Sequence, residues 1–468
     1  MSRINTNIPS LMAISQLSKN SANLNTSLQR LSTGLQINSG KDAPAGLIAS
    51  ETLRSEMAGI NQAIENSGRA DNVLSTAEGS LQEVSALLLE VQSLTTQAAN
   101  SGALSSDEIA ANQLQVDSIL SSINRISNTT QFNGVKLLDG SLDYTTTGVN
   151  PTNFATVNVN SALLADNAPA NVVVAVTQSA RTGTIGYTGG ALGAGNAVTV
   201  QIAGNKGSQQ VSFAGGTTIA QMVTAVNAVK DATGVSAVNS AGDLGLYSVD
   251  FGSKQYVSLQ TVSGTFVPTA GVGYGRDANV TVNGAAAQAD GLSVSYRVAN
   301  LDIQMQLGTA FNTAGNDQFQ ITGGGAVFQL GPKVSEQDKA SIGLQSVSTG
   351  SLGDAITGYL STLGSGAANS LSSGNLTTSQ QIIDRAITQV STLRGRIGAF
   401  QKEVLDSNVN SLNVALENVT SSESAIRDTD FAAETAAMTR SQILVQATTT
   451  VLAQANSSPQ NVLALLKG

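Results

Sequence analysis

Leu53, Ile60, Ser67, Leu74, Leu81, Leu88 and Thr95 stand seven residues apart, with no proline between the first and the last. A seven-residue recurrence stays on one side of a helix only if that side is covered along its whole length, so the segment is constrained to a long, coiled-coil-like helix. Met57 and Ile64 accompany the series early, and Val84, Val91 and Ala98 accompany it later, so the seam drifts sideways without breaking. Asn100-Ser101-Gly102 is the expected stop. Ser105 and Glu108 have the spacing of a capping box, with Leu104 and Ile109 placed as a hydrophobic staple, which predicts a second helix over 105–129. Asn133-Gly134 then predicts a tight hairpin turn.

The two chain ends are also periodic, but almost without charge. The first forty residues carry only Arg3, Lys19 and Arg30, and none of residues 441–466 is charged. Leu24, Leu28, Leu31 and Leu35 form an apolar helical stripe that is expected to stop near Gly40. From about residue 380 a helical pattern returns: Ala386, Leu393 and Phe400 form one seven-residue series, and Val390, Ile397 and Val404 another. Val409, Leu412 and Leu416 carry the apolar face onward to an expected break at Ser421-Ser422-Glu423. Phe431, Met438, Val445 and Leu452, joined by Ala455, predict a final helix to about residue 465, with a weak point at Pro459.

Between about 145 and 330 the composition turns to Gly, Ala, Thr, Val and Asn. Fragments such as Val198-Thr199-Val200-Gln201-Ile202 alternate as short strands do, whereas Thr218 to Asn227 suits a helix. The fold class is therefore a mainly α-helical, coiled-coil-like core formed by both termini, with a mostly β (α+β) outer middle region. The expected divisions are an N-terminal arm over 1–40, the first part of a long-helix domain over 41–144, a middle of one or two mostly β domains over 145–330, the second part of the long-helix domain over 331–420, and a C-terminal arm over 421–468.

Composition narrows the function. The 468 residues hold 23 basic and 32 acidic side chains, for a net charge of −9, with no His, Cys or Trp. That balance repels phosphate backbones, and no basic, aromatic-interleaved patch reverses it, which argues against a nucleic-acid partner. Without His there is no ordinary serine triad and no His-Glu-x-x-His metal motif, and no Gly-x-Ser-x-Gly elbow or phosphate-binding loop replaces them. Asp428 and Asp430 could suggest a cation site, but no further acidic residues follow at the spacing of a calcium loop, so helix capping and pairing with Arg427 is the expected role. No catalytic, cofactor-binding or metal-binding residues are assigned, and an enzyme is not expected. The polar, intermittent Met1–Ile8 stretch and the interrupted apolar runs lead to the expectation of neither a cleavable signal peptide nor a membrane-spanning helix.

An ordinary coiled coil turns charge toward water on the face away from its seam. Here those faces hold Ser, Thr, Asn, Gln and Ala, groups that can be buried without the several kcal/mol that an unpaired ion would cost. A monomeric bundle with packed ends would share this composition; its occurrence at both ends favours a repetitive, heterologous assembly. The expected packing residues are Leu24, Leu28, Leu31, Leu444 and Leu452 in the arms and Leu81, Leu88, Leu393 and Ile397 in the long helices. Gly40, Asp42 and Pro44 are expected to form a joint, and Asn133 and Gly134 a turn.

Several local motifs together resemble the bacterial flagellins: Ile4-Asn5-Thr6-Asn7, Leu31-Ser32-Thr33-Gly34-Leu35, Asn38 to Gly46, and Thr130 to Gly134 near the start, and Leu412-Asn413, Glu417-Asn418, Ser424 to Asp430, Leu452 to Asn456 and Pro459-Gln460 near the end. The resemblance covers roughly 1–140 and 380–468. It implies an extracellular flagellar filament of many identical copies used for motility, with both arms in the inner filament core and the middle facing outward. Implied partners are the flagellar cap, the hook-filament junction proteins, and the export apparatus with its chaperone. Gly215 to Ile219 and Gly234 to Val238 further resemble a small insertion motif shared by flagellins and hook-associated proteins. A hook-filament junction protein is the near alternative and a secreted adhesive scaffold the more distant one. The family segment seen by a host innate receptor falls near Leu88 to Asn100, and Gln92 and Ser93 stand where activating members have Arg and Glu, so weak recognition is expected.

Overall fold

The computed structural model describes residues 6–100, 102, 104–164, 168–298 and 300–467, with side chains through residue 457. They form two compact units. The first joins residues 1–68, 330–338 and 406–468, and the second joins 69–329 and 339–405.

Helices dominate the first unit: α1 (Ile8–Thr33), the opening turns of α2 (Pro44–Ala98), and, numbered in chain order, α7 (Ser407–Arg427) and α8 (Phe431–Lys467). The first helix ends earlier than its leucine spacing suggests. Gly34 adopts a left-handed conformation, φ 75°, and its N–H closes on the Arg30 carbonyl, so Leu35 already lies outside the helix. At the other end α7 runs through Ser421-Ser422-Glu423 and stops only at Asp428. Those residues carry no proline or glycine, and the Ser422 hydroxyl returns to the Asn418 carbonyl within the helix.

In the second unit the rest of α2, α3 (Ser106–Thr129) and α6 (Leu376–Ala399) are the long helices. The seven-residue series is buried from Ile60 through Thr95, and Ala63, Ala70, Ala77, Val84, Val91 and Ala98 form a parallel buried row beside it. Arg394 clamps α6 to the remainder of α2 through Glu78 Oε1 at 2.8 and 3.0 Å. A π-helical segment, Phe400–Asp406, follows α6. It places one extra residue in the stripe: Val390, Ile397, Leu405 and Leu412 are buried, whereas Val404 is only partly so.

The hairpin of β1 (Gln131–Phe132) and β2 (Val135–Lys136) turns through Asn133 and Gly134 at φ 50° and 84°, a type I′ geometry. An eight-stranded antiparallel sheet follows. It takes β3 (Tyr144–Thr147), β4 (Phe154–Ala162) and β5 (Ala170–Gln178) from before a long excursion of the chain. From after it come β13 (Asn279–Val282), β14 (Ala285–Asp290), β15 (Ser293–Val298), β16 (Leu301–Leu307) and β17 (Gly315–Gly324). The strand order is β3-β17-β5-β13-β14-β15-β16-β4, which curls the sheet toward a barrel around Phe154, Val174, Val280, Val294, Ile303 and Phe319.

The excursion makes a second β lobe with its own core. Its three-stranded sheet is ordered β6-β10-β9, from β6 (Thr184–Tyr187), β9 (Val235–Ser240) and β10 (Asp243–Ser248). Its four-stranded sheet is ordered β12-β11-β7-β8, from β7 (Val198–Gly204), β8 (Gly207–Phe213), β11 (Tyr256–Ser263) and β12 (Val272–Tyr274). Helix α4 (Ile219–Ala228) opens with a Thr218–Gln221 capping box, and the short α5 (Lys230–Thr233) follows it. Met222 and Val226 of α4 are sealed in the core with Ile202, Leu246 and Val257.

The chain enters and leaves this lobe through one narrow neck. Arg181 and Arg276 exchange both backbone hydrogen bonds, at 2.7 and 2.9 Å. Gly275 lies there because a β-carbon would come 2.3 Å from the Gly252 carbonyl oxygen and 2.6 Å from that of Arg181. The Asp277 carboxylate caps the neck, accepting from the Ser253 and Gly291 N–H groups, both at 2.8 Å, and from the Ser253 hydroxyl.

Candidate assembly surface

Helices α1 and α8 lie antiparallel. At one end Asn7 Nδ2 donates to the Ala455 carbonyl and the Ser10 hydroxyl to Asn456 Oδ1, each at 2.8 Å; at the other Arg30 meets Glu434 at 3.4 Å. The stripe they bury is not the leucine stripe. From α1 it takes Ser10, Ala13, Asn20 and Ser27, and from α8 Ser441 and Ala455. Small side chains let two helices approach closely, and Ala13, Asn20 and Ser27 keep the seven-residue spacing of a coiled-coil seam.

Many of the large apolar side chains of the arms stay outside that seam. Ile8, Leu11, Met12, Ile14 and Leu28 of α1 and Ile443, Leu444 and Val451 of α8 are exposed, Met12 at 69% and Leu11 at 59%. Of the arm leucines singled out by the sequence, Leu28 and Leu444 are exposed, whereas Leu24, Leu31 and Leu452 are half-buried. The four chosen in the long helices, Leu81, Leu88, Leu393 and Ile397, are all buried. Fully burying one such side chain contributes roughly 1.5–3 kcal/mol, so the outward arm surface holds unspent hydrophobic driving force.

A compact joint ties the arms to the neighbouring helices. Gly34 to Gln36 pair with Arg427 to Thr429 through Thr429 N–H to Gly34 O at 2.9 Å and Gln36 N–H to Arg427 O at 2.7 Å. Asp42 gathers the loop before α2 by accepting from the Asn38 and Ser39 N–H groups and the Ser39 hydroxyl. The Ser39 bonds hold its carboxyl below the usual range. Pro44 occupies the first turn of α2, where its missing N–H costs nothing. A β-carbon on Gly46 would come 2.7 Å from the Ile37 side chain, and one on Gly40 would rest at ordinary contact distance from Leu47.

The two aspartates divide their work. Asp430 Oδ1 accepts from the Ala432 and Ala433 N–H groups at 2.9 and 3.1 Å and so caps the start of α8. Asp428 sits at the end of α7 instead, its carboxylate accepting from the Ser424 hydroxyl at 2.6 Å. Arg427 turns to Glu51 at 3.3 Å and Glu423 at 3.8 Å, not to either aspartate, because its side chain lies back along α7 toward the start of α2. At α3, Ser105 and Glu108 make the reciprocal capping box, and the Ser105 N–H and hydroxyl hold Glu108 below its ordinary pKa. Gln92 donates to Asp384 Oδ1 at 2.9 Å, while Ser93 is exposed. Among the described residues no group of three or more acidic side chains gathers as a cation site, and no helix is long and apolar enough to cross a membrane.

This terminal-helix architecture matches two family models, described as the bacterial flagellin N-terminal helical region over residues 4–143 and the bacterial flagellin C-terminal helical region over 380–466. Similarity extends across the whole chain: B-type flagellin of Pseudomonas aeruginosa is 30% identical, with 99% of each chain covered. The chain belongs to the flagellin family. Flagellin of Salmonella typhimurium is likewise 30% identical with 99% of each chain covered. A third family model, the flagellin hook IN motif, matches residues 199–250, which run from β7 through α4 to just past β10. Among solved structures, a flagellar junction protein from Legionella pneumophila is similar to 81% of this chain and 99% of its own, with 13% identity and a TM-score of 0.28.

Hydropathy alone missed the seam of this flagellin-family chain. Ser10, Asn20, Ser27 and Ser441 carry no apolar signal; what marks the seam is the seven-residue spacing of Ala13, Asn20 and Ser27 and the fourteen between Ser441 and Ala455, on helices poor in charge. Arg427 and Glu51 are 376 residues apart, and nothing local in either segment reports their pairing.

Proposed function

We propose that this chain is the self-polymerising subunit of an extracellular helical flagellar filament used for motility. The observation that carries the reading is the inverted helix pair: α1 and α8 bury small neutral residues between themselves and leave Ile8, Leu11, Met12, Ile14, Ile443 and Val451 outside. A water-soluble helix pair is stable the other way round. Covering these side chains with the arms of neighbouring copies removes apolar surface from water without burying an ion, and a heterologous contact of this kind propagates as an open helix. On this reading 1–40 and 421–468 form the inner core and 145–330 faces outward. The partners are other copies, the cap, the junction proteins, and the export apparatus with its chaperone.

The double variant Leu11→Glu/Ile443→Glu tests it. Both positions are exposed in the single chain, so helix content by circular dichroism should be unchanged. A carboxylate buried between copies costs several kcal/mol, so elongation of filament seeds should fall by more than about tenfold. Elongation at the unmodified rate would refute the reading. Addition of a single layer to seeds, followed by arrest, would indicate a junction adapter instead.

A further inference from the structure

The chain has six methionines and no cysteine, so thioethers are its only sulfur. Their settings in the structure differ. Met222 is buried in the core of the lobe and Met305 in that of the eight-stranded sheet, whereas Met57 and Met438 are half-buried. Met1 lies outside the described residues. Met12 alone among the described methionines is exposed, at 69%. The seam of α1 fixes its direction: the next residue, Ala13, is buried there, and successive side chains stand about 100° apart round a helix. Ile8 precedes Met12 by one helical turn and Leu11 by three residues, so these three exposed side chains share one apolar patch. The sequence carries no charge between Arg3 and Lys19.

We propose that Met12 is a peroxide-sensitive switch on assembly: oxidation of its thioether to the sulfoxide stops the chain from joining other copies, and reduction restores it. The inference rests on the filament reading, in which a neighbouring copy covers this patch. In the step, a lone pair of Met12 Sδ attacks the terminal oxygen of a hydroperoxide. The O–O bond breaks, an S–O bond forms, and the rest of the peroxide takes up the proton and leaves as water or an alcohol. Sulfur loses two electrons and the peroxide gains them. Two thiols reverse the change, ending as a disulfide while the oxygen departs as water. The sulfoxide makes a flexible apolar side chain polar and gives it a strong acceptor. On the single chain that acceptor is hydrated and α1 is undisturbed. Between two apolar arms it finds no donor, so the cost falls on the contact between copies alone. Assembly in turn shields the sulfur, because thioether oxidation follows exposure.

Treating the full-length unpolymerised chain with hydrogen peroxide tests this, with oxidation sites mapped by peptide mass spectrometry and assembly followed as elongation of filament seeds. Met12 should oxidise ahead of Met57 and Met438, with Met222 and Met305 spared. The circular dichroism spectrum should stay unchanged while elongation slows by about tenfold or more. Methionine sulfoxide reductase with dithiothreitol should restore the rate. The Met12→Leu chain should elongate normally before and after peroxide, and Met12→Gln should be slow without any. Untreated chain that fails to elongate seeds would overturn the filament reading and the switch with it. Where untreated chain does elongate, three results would each overturn the switch alone: unchanged elongation once Met12 is oxidised, equal peroxide sensitivity of the Met12→Leu chain, or a loss that the reductase does not reverse. Oxidation of Met12 as fast in finished filaments as in the single chain would show the patch uncovered and likewise overturn it.

Discussion

Asp277 shows how much structure one side chain can hold at the neck of the β lobe. Burial pushes its carboxyl upward, but the Ser253 hydroxyl, the Gly291 and Ser253 N–H groups and the nearby Lys254 charge outweigh that, and the group is held below its ordinary value. A carboxyl with a depressed folded pKa contributes stability that is complete above the unfolded value, near 3.9, and is lost as pH falls through the lower folded value. The contribution of Asp277 to the thermal midpoint should therefore be constant near neutrality and decline only below about pH 3.9. Asp277→Asn should lower the midpoint at pH 7 and remove this residue's part of the acid decline, measured by scanning calorimetry from pH 2.5 to 7. An unchanged acid profile would show that the bonds at Ser253 and Gly291 do not hold the neck.

At the scale of elements, the π-helical segment Phe400–Asp406 is the sharpest departure from the periodicity of the chain. Ile397 and Leu405 are eight residues apart yet both buried, and Leu405 and Leu412 return to seven. Deleting Val404 should therefore be tolerated, because an ordinary α-helix would then carry Ile397, the former Leu405 and Leu412 at successive sevens. Deleting Thr392 should instead rotate Leu393 and Ile397 off the buried stripe and cost about 2–5 kcal/mol, the range for emptying a buried leucine site. Urea unfolding of the two deletions side by side decides it; equal destabilisation would mean that the extra residue is not what keeps the stripe in step. Local sequence signals were strong where one segment settles its own form: the series through Leu74, Leu81 and Leu88, the Ser105–Glu108 capping box, and the Asn133-Gly134 turn. They failed at Val404, since a π turn leaves no composition of its own. They also gave no strand order for the eight-stranded sheet, where β5 lies between β17 and β13 because partners far apart in sequence choose one another by register.

Across the whole molecule, the arms are poor in charge while the chain carries −9. Copies should then repel at a distance and attract on contact. Salt shortens the repulsion, to about 10 Å at 0.1 M, and leaves apolar contact intact. Seeded elongation should accelerate several-fold between 20 and 200 mM NaCl (about 22 and 7 Å of screening length) when followed by light scattering. A rate that falls with salt would mean that ion pairs, rather than apolar cover, join the copies. The helical class of the ends and the β class of the middle were legible in composition and spacing. The inverted arrangement of the arms was not, because hydropathy ranks Leu28 above Ser27 whichever of them faces the partner helix, and here it is Ser27 that is buried.

The neck at Arg181 and Arg276 has one more consequence. Because the outgoing and returning strands touch there, β6 through β12 hang from a single doorway, and closing that doorway with a short link would leave the eight-stranded sheet all its strands and most of its core, at the loss of the half-buried Phe251 that packs against it and of the Ser253 and Lys254 contacts to Asp277 and Asp290. Lineages could thus discard, lengthen or exchange the lobe as a cassette while the helices of the chain ends keep their sequence. Lobe and helices can evolve at different speeds within one chain.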